Sequence, residues 1–446
     1  MVKIVPRTAS GMRDFLPSDM LKRQYVMDTI EGVFQLYGFE PLQTPILENS
    51  ETLMGKYGEE AEGLIYSAMH GRQDEASVSM RYDLTVPLAR VVAQYENELQ
   101  FPFKRYQIAP VFRGERPQRG RFREFYQCDA DIVGVQNMSA DAELISLVIM
   151  ILHRLGFAAF TVQINNRKLL IGMGQYAGVP DEQLGDLYRS VDKFDRIGAD
   201  GVQQELLERG IAADVVARMM TLLQAGGHGL ETLDNVQDVL GDFAAAIEGI
   251  NELREMAQHL NKLDVPAENY SFDFRMVRGL GYYTGPIFET VLDDESIGSI
   301  SGGGRYDDMI GIFRKQSLPT TGISLGIERI ITLMDEKNMY PEHIGGTVVQ
   351  VLVAVFNKKT QAESAALAMR LRGAGIHTEL YMTDSKLRLG KQFGHADKKG
   401  IPIVAVMGPD EIENDIVTLR RLRDGYEVTV KRGEAAGKIR ELLAIE

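Results

Sequence analysis

Between positions 178 and 262 the sequence is rich in Leu, Ala, Glu, Asp and Gln at helical spacing, with no strand signal, yet strand-rich blocks stand on both sides of it. A helical run of that length cannot be threaded through a sheet. It reads as an inserted helical domain that leaves one larger α+β core and returns to it. A second change of character falls at 337–346, a polar segment with Pro and Gly that reads as a linker. Beyond it, apolar runs at 348–355, 377–381 and 401–407 alternate with helical patterns at 359–374 and 387–399. That alternation predicts a small α/β domain with parallel strands over 347–446, completed by polar strands at 416–422 and 426–431 and a closing helix. At 446 residues the chain exceeds the roughly 250–300 that one core serves, so several domains are required.

Within 1–336 the core signals are equally ordered. A helix is predicted over 18–38, with Ser18 as cap, Asp19 in its first turn, Val26, Ile30, Val33 and Tyr37 as the apolar stripe, and Gly38 as the stop. An extended piece broken by Pro41 and Pro45 follows. Residues 103–135 read as strand, polar loop, strand, an antiparallel hairpin, and 139–155 as helix. Strands are expected at 270–274, 282–292 and 298–301, then a glycine run and a helix from about 326 to 336.

Charge excludes some functions and localises others. Lys and Arg number 49 against 63 Asp and Glu, a net −14, so any nucleic-acid partner must be met by a local cluster. One cysteine, Cys128, excludes an intrachain disulfide and a multi-cysteine zinc site, and the histidines are scattered, so no structural zinc or other protein-borne metal is expected. The longest apolar runs fall far short of the ~18 residues that span a bilayer, and the first residues lack a signal-like apolar core; a cytoplasmic protein with no membrane partner is expected.

The window 104–123 holds Lys104, Arg105, Arg113, Arg116, Arg119, Arg121 and Arg123 against one acid, Glu115. Arg113 ends an apolar strand, where a guanidinium facing a cleft must find an anion, and phosphate suits its fork. On the return strand, period-2 alternation puts Gln127, Asp129 and Asp131 on one face and Tyr126, Cys128 and Ala130 on the other. Three polar residues in a row there line a site; the pair of carboxylates suits acid/base work, magnesium or a nitrogen-rich substrate. Arg278-Gly-Leu-Gly-Tyr282-Tyr283-Thr-Gly is a third cluster, whose adjacent tyrosines are expected to present their hydroxyls on opposite faces. Ser301-Gly-Gly-Gly-Arg305-Tyr306 and Gly322–Arg329 complete the set, the latter a strand leading into a helix with Arg329 in its first turn.

Taken together these residues resemble a known family. Arg113-Gly-Glu115, the basic loop and Arg121-x-x-x-Phe125 resemble the second signature motif of class II aminoacyl-tRNA synthetases; residues 322–329 resemble the third, and helix 18–38 running towards Pro45 the first. Arg81-Tyr-Asp83-Leu84-Thr85, Phe-Tyr-Gln127-Cys-Asp129-x-Asp131, the Arg278–Thr284 motif and Ser301-Gly-Gly-Gly-Arg-Tyr-Asp resemble those of histidyl-tRNA synthetases over essentially the whole chain. The Asp83 and Asp129–Asp131 pattern is similar to the eukaryote-like branch. Gly281 stands where the family usually has Asp.

The resemblance implies an antiparallel catalytic sheet flanked by helices over 1–336, a helical insertion at 178–262, and a C-terminal anticodon-binding domain. It implies a homodimer built on the first motif, and ligation of L-histidine to tRNA for histidine through a histidyl-adenylate, with ATP as substrate and Mg2+ arriving with it. Arg113 and Arg278 would act on the α-phosphate and the histidine carboxylate. Glu115, Arg121, Phe125 and Arg329 would hold ATP. Asp83, Leu84, Thr85, Gln127, Asp131, Tyr282 and Tyr283 would line the histidine pocket. Arg116, Gln118 and Arg119 would meet the acceptor end of tRNA, and Lys386 and Arg388, with Lys391 nearby, its anticodon side.

Overall fold

The computed structural model describes residues 5–54, 62–69, 76–277, 282–292, 297–342, 344, 346–383 and 387–444, with the side chains of Asp181, Glu182, Asp186 and Asp195 excepted. The chain divides into two compact units, Met1–Asp14 with Val26–Met339, and Phe15–Tyr25 with Tyr340–Glu446.

Among the described residues, the first unit has eleven strands. They are β1 (Glu40–Pro41), β2 (Leu47–Asn49), β3 (Ser67–Ala68), β4 (Val78–Met80), β5 (Phe103–Phe112), β6 (Glu124–Val133), β7 (Phe160–Asn166), β8 (Tyr270–Phe272), β9 (Pro286–Leu292), β10 (Ser301–Arg305) and β11 (Thr320–Gly326). Eight of them form one sheet in the order β1-β5-β6-β11-β10-β9-β7-β8. The six inner strands are antiparallel throughout, and only the edge pairs β1–β5 and β7–β8 run parallel. β2, β4 and β3 make a separate small sheet.

The glycine run differs from its expected place. The sequence reading ends a strand at 301 and leaves the glycines outside it, whereas Ser301–Arg305 is itself β10, wedged between β9 and β11. A β-carbon at Gly303 would lie 2.2 Å from the Gly322 carbonyl and 2.6 Å from the Phe288 ring. Only glycine lets the three strands approach this closely.

Helix Pro17–Leu36 covers most of the expected segment, with Val26, Ile30 and Val33 buried and Gly38 at φ +76° as a left-handed cap. It starts at Pro17, however, so Ser18 lies in its first turn instead of capping it, and Tyr37 falls past its end, half-buried. Helix Ser139–Arg154 contributes Leu144, Ile145, Leu147, Val148, Ile151 and Leu152 to the core. The 178–262 stretch forms helices Asp181–Val191, Phe194–Glu208, Ala213–Leu223, Leu230–Leu240 and Ala244–Lys262. The last of these lies against helix Arg167–Ala177 at very short range: a β-carbon at Gly172 would meet Ala246 Cβ at 2.4 Å.

The second unit has β12 (Val351–Val355), β13 (Thr378–Leu380), β14 (Ile403–Met407), β15 (Ile416–Arg421) and β16 (Glu427–Lys431) in the order β13-β12-β14-β15-β16. β13, β12 and β14 are parallel and β15 and β16 antiparallel, as the apolar-then-polar sequence of strands implies. Its core joins Val351, Val353, Ile403 and Ala405 to Leu367 and Leu371 of helix Gln361–Gly373 and Ile439 of helix Ala435–Ala444. Among the described residues no helix is long and apolar enough to cross a membrane.

Candidate active site

The register of the large sheet assembles the site floor. β5 sets Arg105, Gln107 and Ala109 opposite Asp131, Asp129 and Gln127 of β6, and β11 sets Gly322, Ser324 and Gly326 opposite the same three from the other side. All nine therefore share one face of the sheet. The expected face of β6 is the observed one, while Cys128 and Ala130 face the opposite core and are fully buried. A cleft of about 380 Å³ opens over this floor, within the range of small-molecule sites.

One end of the cleft is rich in arginine. Arg113 lies one residue past β5, yet its N–H still bonds the Arg123 carbonyl at 2.9 Å, so the hairpin continues to it. Its Nε donates to the Tyr82 carbonyl at 3.1 Å, and its guanidinium sits 4.4 Å from the Tyr82 ring centre and 5.1 Å from that of Phe125. These contacts orient the fork. Arg113, Glu115, Arg121, Phe125 and Arg329 all line the cleft. Arg121 is 3.6 Å from Glu115, and Arg329 donates to the Ser299 carbonyl. Gln118 and Arg121 bond each other's backbone across a tight turn with Gly120 at φ +70°. Arg116, Gln118 and Arg119 are exposed on this loop, Arg119 pairing with Glu336.

Beyond the cleft lining, the floor continues into a buried, acidic cluster. Asp83 Oδ1 accepts the backbone N–H groups of Thr85 and Val86 at 3.1 Å, holding the start of helix Thr85–Gln94. Asp131 Oδ2 lies 2.7 Å from Arg105 Nη2, and its Oδ1 accepts the Tyr306 hydroxyl. Gln127 Nε2 donates to Ser324 Oγ at 2.8 Å. Burial, with Asp131 and Asp83 close by, pushes the Asp129 carboxyl up to about 7 despite the opposing charge of Arg105. Burial likewise raises the Tyr282 hydroxyl to about 12.

Several expectations need correction. Arg105 does not belong to the exposed basic patch: it is fully buried and paired with Asp131, and Lys104 pairs with Glu143. The hydroxyls of Tyr282 and Tyr283 do not diverge but bond each other at 3.2 Å, because 282–285 lies outside any strand and does not alternate. The Leu84 side chain packs with Ala109 and Val111 in the core, leaving only its backbone for polar contact, as in the Arg105 bond to its carbonyl. Arg278, Gly281 and Lys386 lie outside the described residues. Arg388 is exposed at the start of helix Leu389–Lys399 in the second unit.

Other side chains of the site carry no sequence expectation. Arg13 stacks 3.2 Å from the Phe122 ring centre and pairs with Glu328, so the opening segment closes the arginine-rich end of the cleft. Its signal was Gly11, which sits at φ +79° with Arg123 and Pro117 packed against it. Glu289 lines the cleft from β9 and accepts the Ser299 hydroxyl at 3.0 Å, an oxygen donor of the kind a divalent cation takes. Among the described residues no group of three or more His, Cys, Asp or Glu is placed to hold a metal ion.

An antiparallel six-stranded floor, an arginine just past its first strand and a strand-to-helix arginine across the cleft from it define the fold of a class II aminoacyl-tRNA synthetase core. Residues 11–330 match the family model for histidyl-tRNA synthetase, and 350–442 that for the anticodon binding domain. The histidine–tRNA ligase of Aeropyrum pernix is 41% identical, with 98% of both chains covered, and that of Bacteroides fragilis 38%, with 97% of this chain and 99% of the relative. The crystal structure of histidyl-tRNA synthetase from Nostoc superposes with a TM-score of 0.87 at 32% identity, over 98% of this chain and all of that one. The chain belongs to the histidyl-tRNA synthetase family.

Proposed function

We propose that this chain joins L-histidine to tRNA for histidine in two steps. In the first, a histidine carboxylate oxygen attacks the α-phosphorus of ATP, the bond to the β-phosphate oxygen breaks, and diphosphate leaves with histidyl-adenylate remaining. In the second, a terminal ribose hydroxyl of the tRNA attacks the histidyl carbonyl and AMP leaves. The observation that carries this reading is the polarity of one continuous floor, arginine at one end and buried carboxylates at the other, with Arg113 and Gln127 between them in one cleft.

Charge builds on the α-phosphate in the first step, so fixed cations there lower the barrier most. Arg113, held by Tyr82, takes the carboxylate and the α-phosphate; Arg278 acts from the other side by its motif. Phe125 and Arg329 sandwich the adenine, Glu115 accepts from its amino group, and Arg121 holds the γ-phosphate. Magnesium comes with the nucleotide and neutralises phosphate charge; Glu289 is the carboxylate in the cleft wall suited to hold it. Asp83, Thr85 and Gln127 bind the α-amino group, and Asp131 with Tyr282 and Tyr283 faces the imidazole.

Residues 1–336 form the catalytic domain, 178–262 the insertion that grips the acceptor arm, 337–346 the linker and 347–446 the anticodon-binding domain. Arg116, Gln118 and Arg119 meet the acceptor end, where Arg and Gln suit base edges. Lys386 and Arg388 meet the anticodon side, and the first motif pairs two copies. ATP–diphosphate exchange without tRNA, across all twenty amino acids, on wild type and Arg278→Ala, tests the reading. Exchange with histidine alone, lost in the variant, supports it; exchange with another amino acid overturns it.

A further inference from the structure

The link between β8 and β9 is held by the last residues of β7, the strand that lies between them. β8 is the parallel neighbour of β7 and β9 the antiparallel one. Period-2 alternation puts Gln163 and Asn165 on the cleft face, Gln163 opposite Glu289 and Asn165 opposite Ile287. Asn165 is fully buried there. Its Nδ2 donates to the Met276 carbonyl at 2.8 Å, and its Oδ1 accepts the Asn166 N–H at 2.8 Å. Two residues on, the Arg167 N–H bonds the Gly285 carbonyl at 2.9 Å, one rung past the β7–β9 ladder. One corner of the chain therefore grips both ends of 276–285.

The corner is itself fixed. Asn166 is fully buried, and its Oδ1 accepts the Lys168 N–H at 2.8 Å, capping helix Arg167–Ala177. Its Nδ2 donates to Glu252 Oε2 at 2.7 Å. The gripped segment carries the tyrosine pair. Tyr282 and Tyr283 line the cleft, and Tyr283 lies so close to β10 that a β-carbon at Gly304 would be 3.0 Å from its ring. Neither tyrosine belongs to a strand, so no ladder sets their place. A buried carbonyl such as that of Met276 needs a donor. Because β7 supplies it, the segment is fixed to the floor and not merely to itself.

We infer that Asn165 is a positioning residue for the amino-acid pocket: with the Arg167 N–H it fixes the ends of 276–285 and so places the hydroxyls of Tyr282 and Tyr283. The inference rests on the proposed activation of histidine and deepens it. Neither Asn165 nor Arg167 lines the cleft, so both act through the segment they hold.

The test removes one bond at each end. Arg167 is the first residue of its helix, and Asn166 before it is extended at φ −142° and ψ 132°, so proline fits at 167. Arg167→Pro deletes the N–H, whereas Arg167→Ala keeps it and loses the same side chain. Asn165→Leu has a similar volume and no donor. ATP–diphosphate exchange gives kcat and the histidine KM, and calorimetry gives the ATP Kd. A small displacement of a positioned group costs up to about 100-fold. Arg167→Pro is expected to lower kcat/KM for histidine about 10- to 100-fold relative to Arg167→Ala, and Asn165→Leu to do so relative to wild type, with the ATP Kd within about threefold. In a Tyr282→Phe, Tyr283→Phe background, which lacks the hydroxyls to be placed, Asn165→Leu should lose most of its effect. Arg167→Pro within about threefold of Arg167→Ala overturns the inference. So does an Asn165→Leu loss that multiplies in full with the tyrosine substitutions, or one matched by the ATP Kd. If one of the two variants fails to fold, the other decides alone. Wild type that does not exchange with histidine defeats the underlying reading instead, before any variant is compared.

Discussion

Asp131 and Gly322 face each other across β6 and β11 so closely that a β-carbon at 322 would lie 1.9 Å from Asp131 Oδ1. The carboxylate occupies the space that a side chain would fill, with the Tyr306 hydroxyl 3.1 Å from the same point. Gly322→Ala must push Asp131 off Tyr306 and Arg105. Overpacking of this kind costs about 1–3 kcal/mol, and here the strain falls on the pocket wall. The expected outcome is a histidine KM raised about tenfold or more with the ATP KM little changed, read by ATP–diphosphate exchange.

Arg113 is the guanidinium at the junction of the two ends of the cleft, steered by the Tyr82 carbonyl. Removing a preorganised donor to developing charge costs about 10²–10³ in rate. Arg113→Ala is expected to lower kcat of exchange by that factor. Arg113→Lys should recover little of it, because an ammonium cannot present two parallel donors.

Asp129 gives the fold a pH signature. Its carboxyl titrates near 7 in the folded protein against an ordinary 3.8, so between those values the folded state holds a proton that the unfolded chain has lost. Stability from this group is therefore greatest below about pH 4, declines as pH rises, and levels off above about 7. Asp129→Asn removes the dependence. Its melting temperature should exceed that of wild type at pH 8 and converge on it towards pH 4, measured by calorimetry without ligand. A variant less stable than wild type at pH 8 would mean that the buried charge is better compensated than its contacts indicate.

Arg305 and Asp141 form a fully buried pair that ties β10 to the first turn of helix Ser139–Arg154, and Arg305 also donates to the Val135 carbonyl at 2.8 Å. Breaking a buried pair by removing one partner costs about 3–5 kcal/mol, more than the pair contributes against an apolar replacement. Arg305→Met alone should lower stability by that amount in denaturant titration, and Arg305→Met with Asp141→Leu should recover a large part of it.

Arg13 stacks on Phe122 and pairs with Glu328, both of which line the cleft. A stacking contact at a largely exposed arginine such as this is worth about 0.5–1 kcal/mol. Arg13→Ala is expected to raise the ATP KM about 2- to 5-fold with the histidine KM nearly unchanged, read by ATP–diphosphate exchange.

How much of this was legible in the sequence depends on the range of the contact that decides it. Alternation along β6 identified Gln127, Asp129 and Asp131 as one face, because period 2 is local to the strand. The burial of Arg105 was not legible: its partner Asp131 is fixed by hairpin register across an eleven-residue basic loop, and in the sequence Arg105 merely joins a row of cations. The meeting of the two tyrosine hydroxyls escaped for the opposite reason, since alternation was applied where no ladder exists. Ser301–Arg305 read as a turn because glycine runs are turns in isolation. Only the neighbouring strands, so near that a β-carbon at Gly303 would lie 2.2 Å from the Gly322 carbonyl, make it a strand. The small α/β unit was almost wholly legible, its three parallel strands being separate apolar runs bounded by helical spacing and its two antiparallel strands the polar pair that follows.

The pairing of Arg13 with Glu328 spans 315 positions. During synthesis at about 5–20 residues per second, that separation is about 15–60 s. For that interval the first-made wall of the cleft exists without its closing partner, and the strands between them cannot yet form the floor, since β11 is made last. A nascent chain that stops short of Glu328 lacks one wall of the cleft. The closed cleft is therefore a property that the chain acquires near three-quarters of its length, and termination between Arg123 and Glu328 leaves the arginines of the loop without the wall that closes over them.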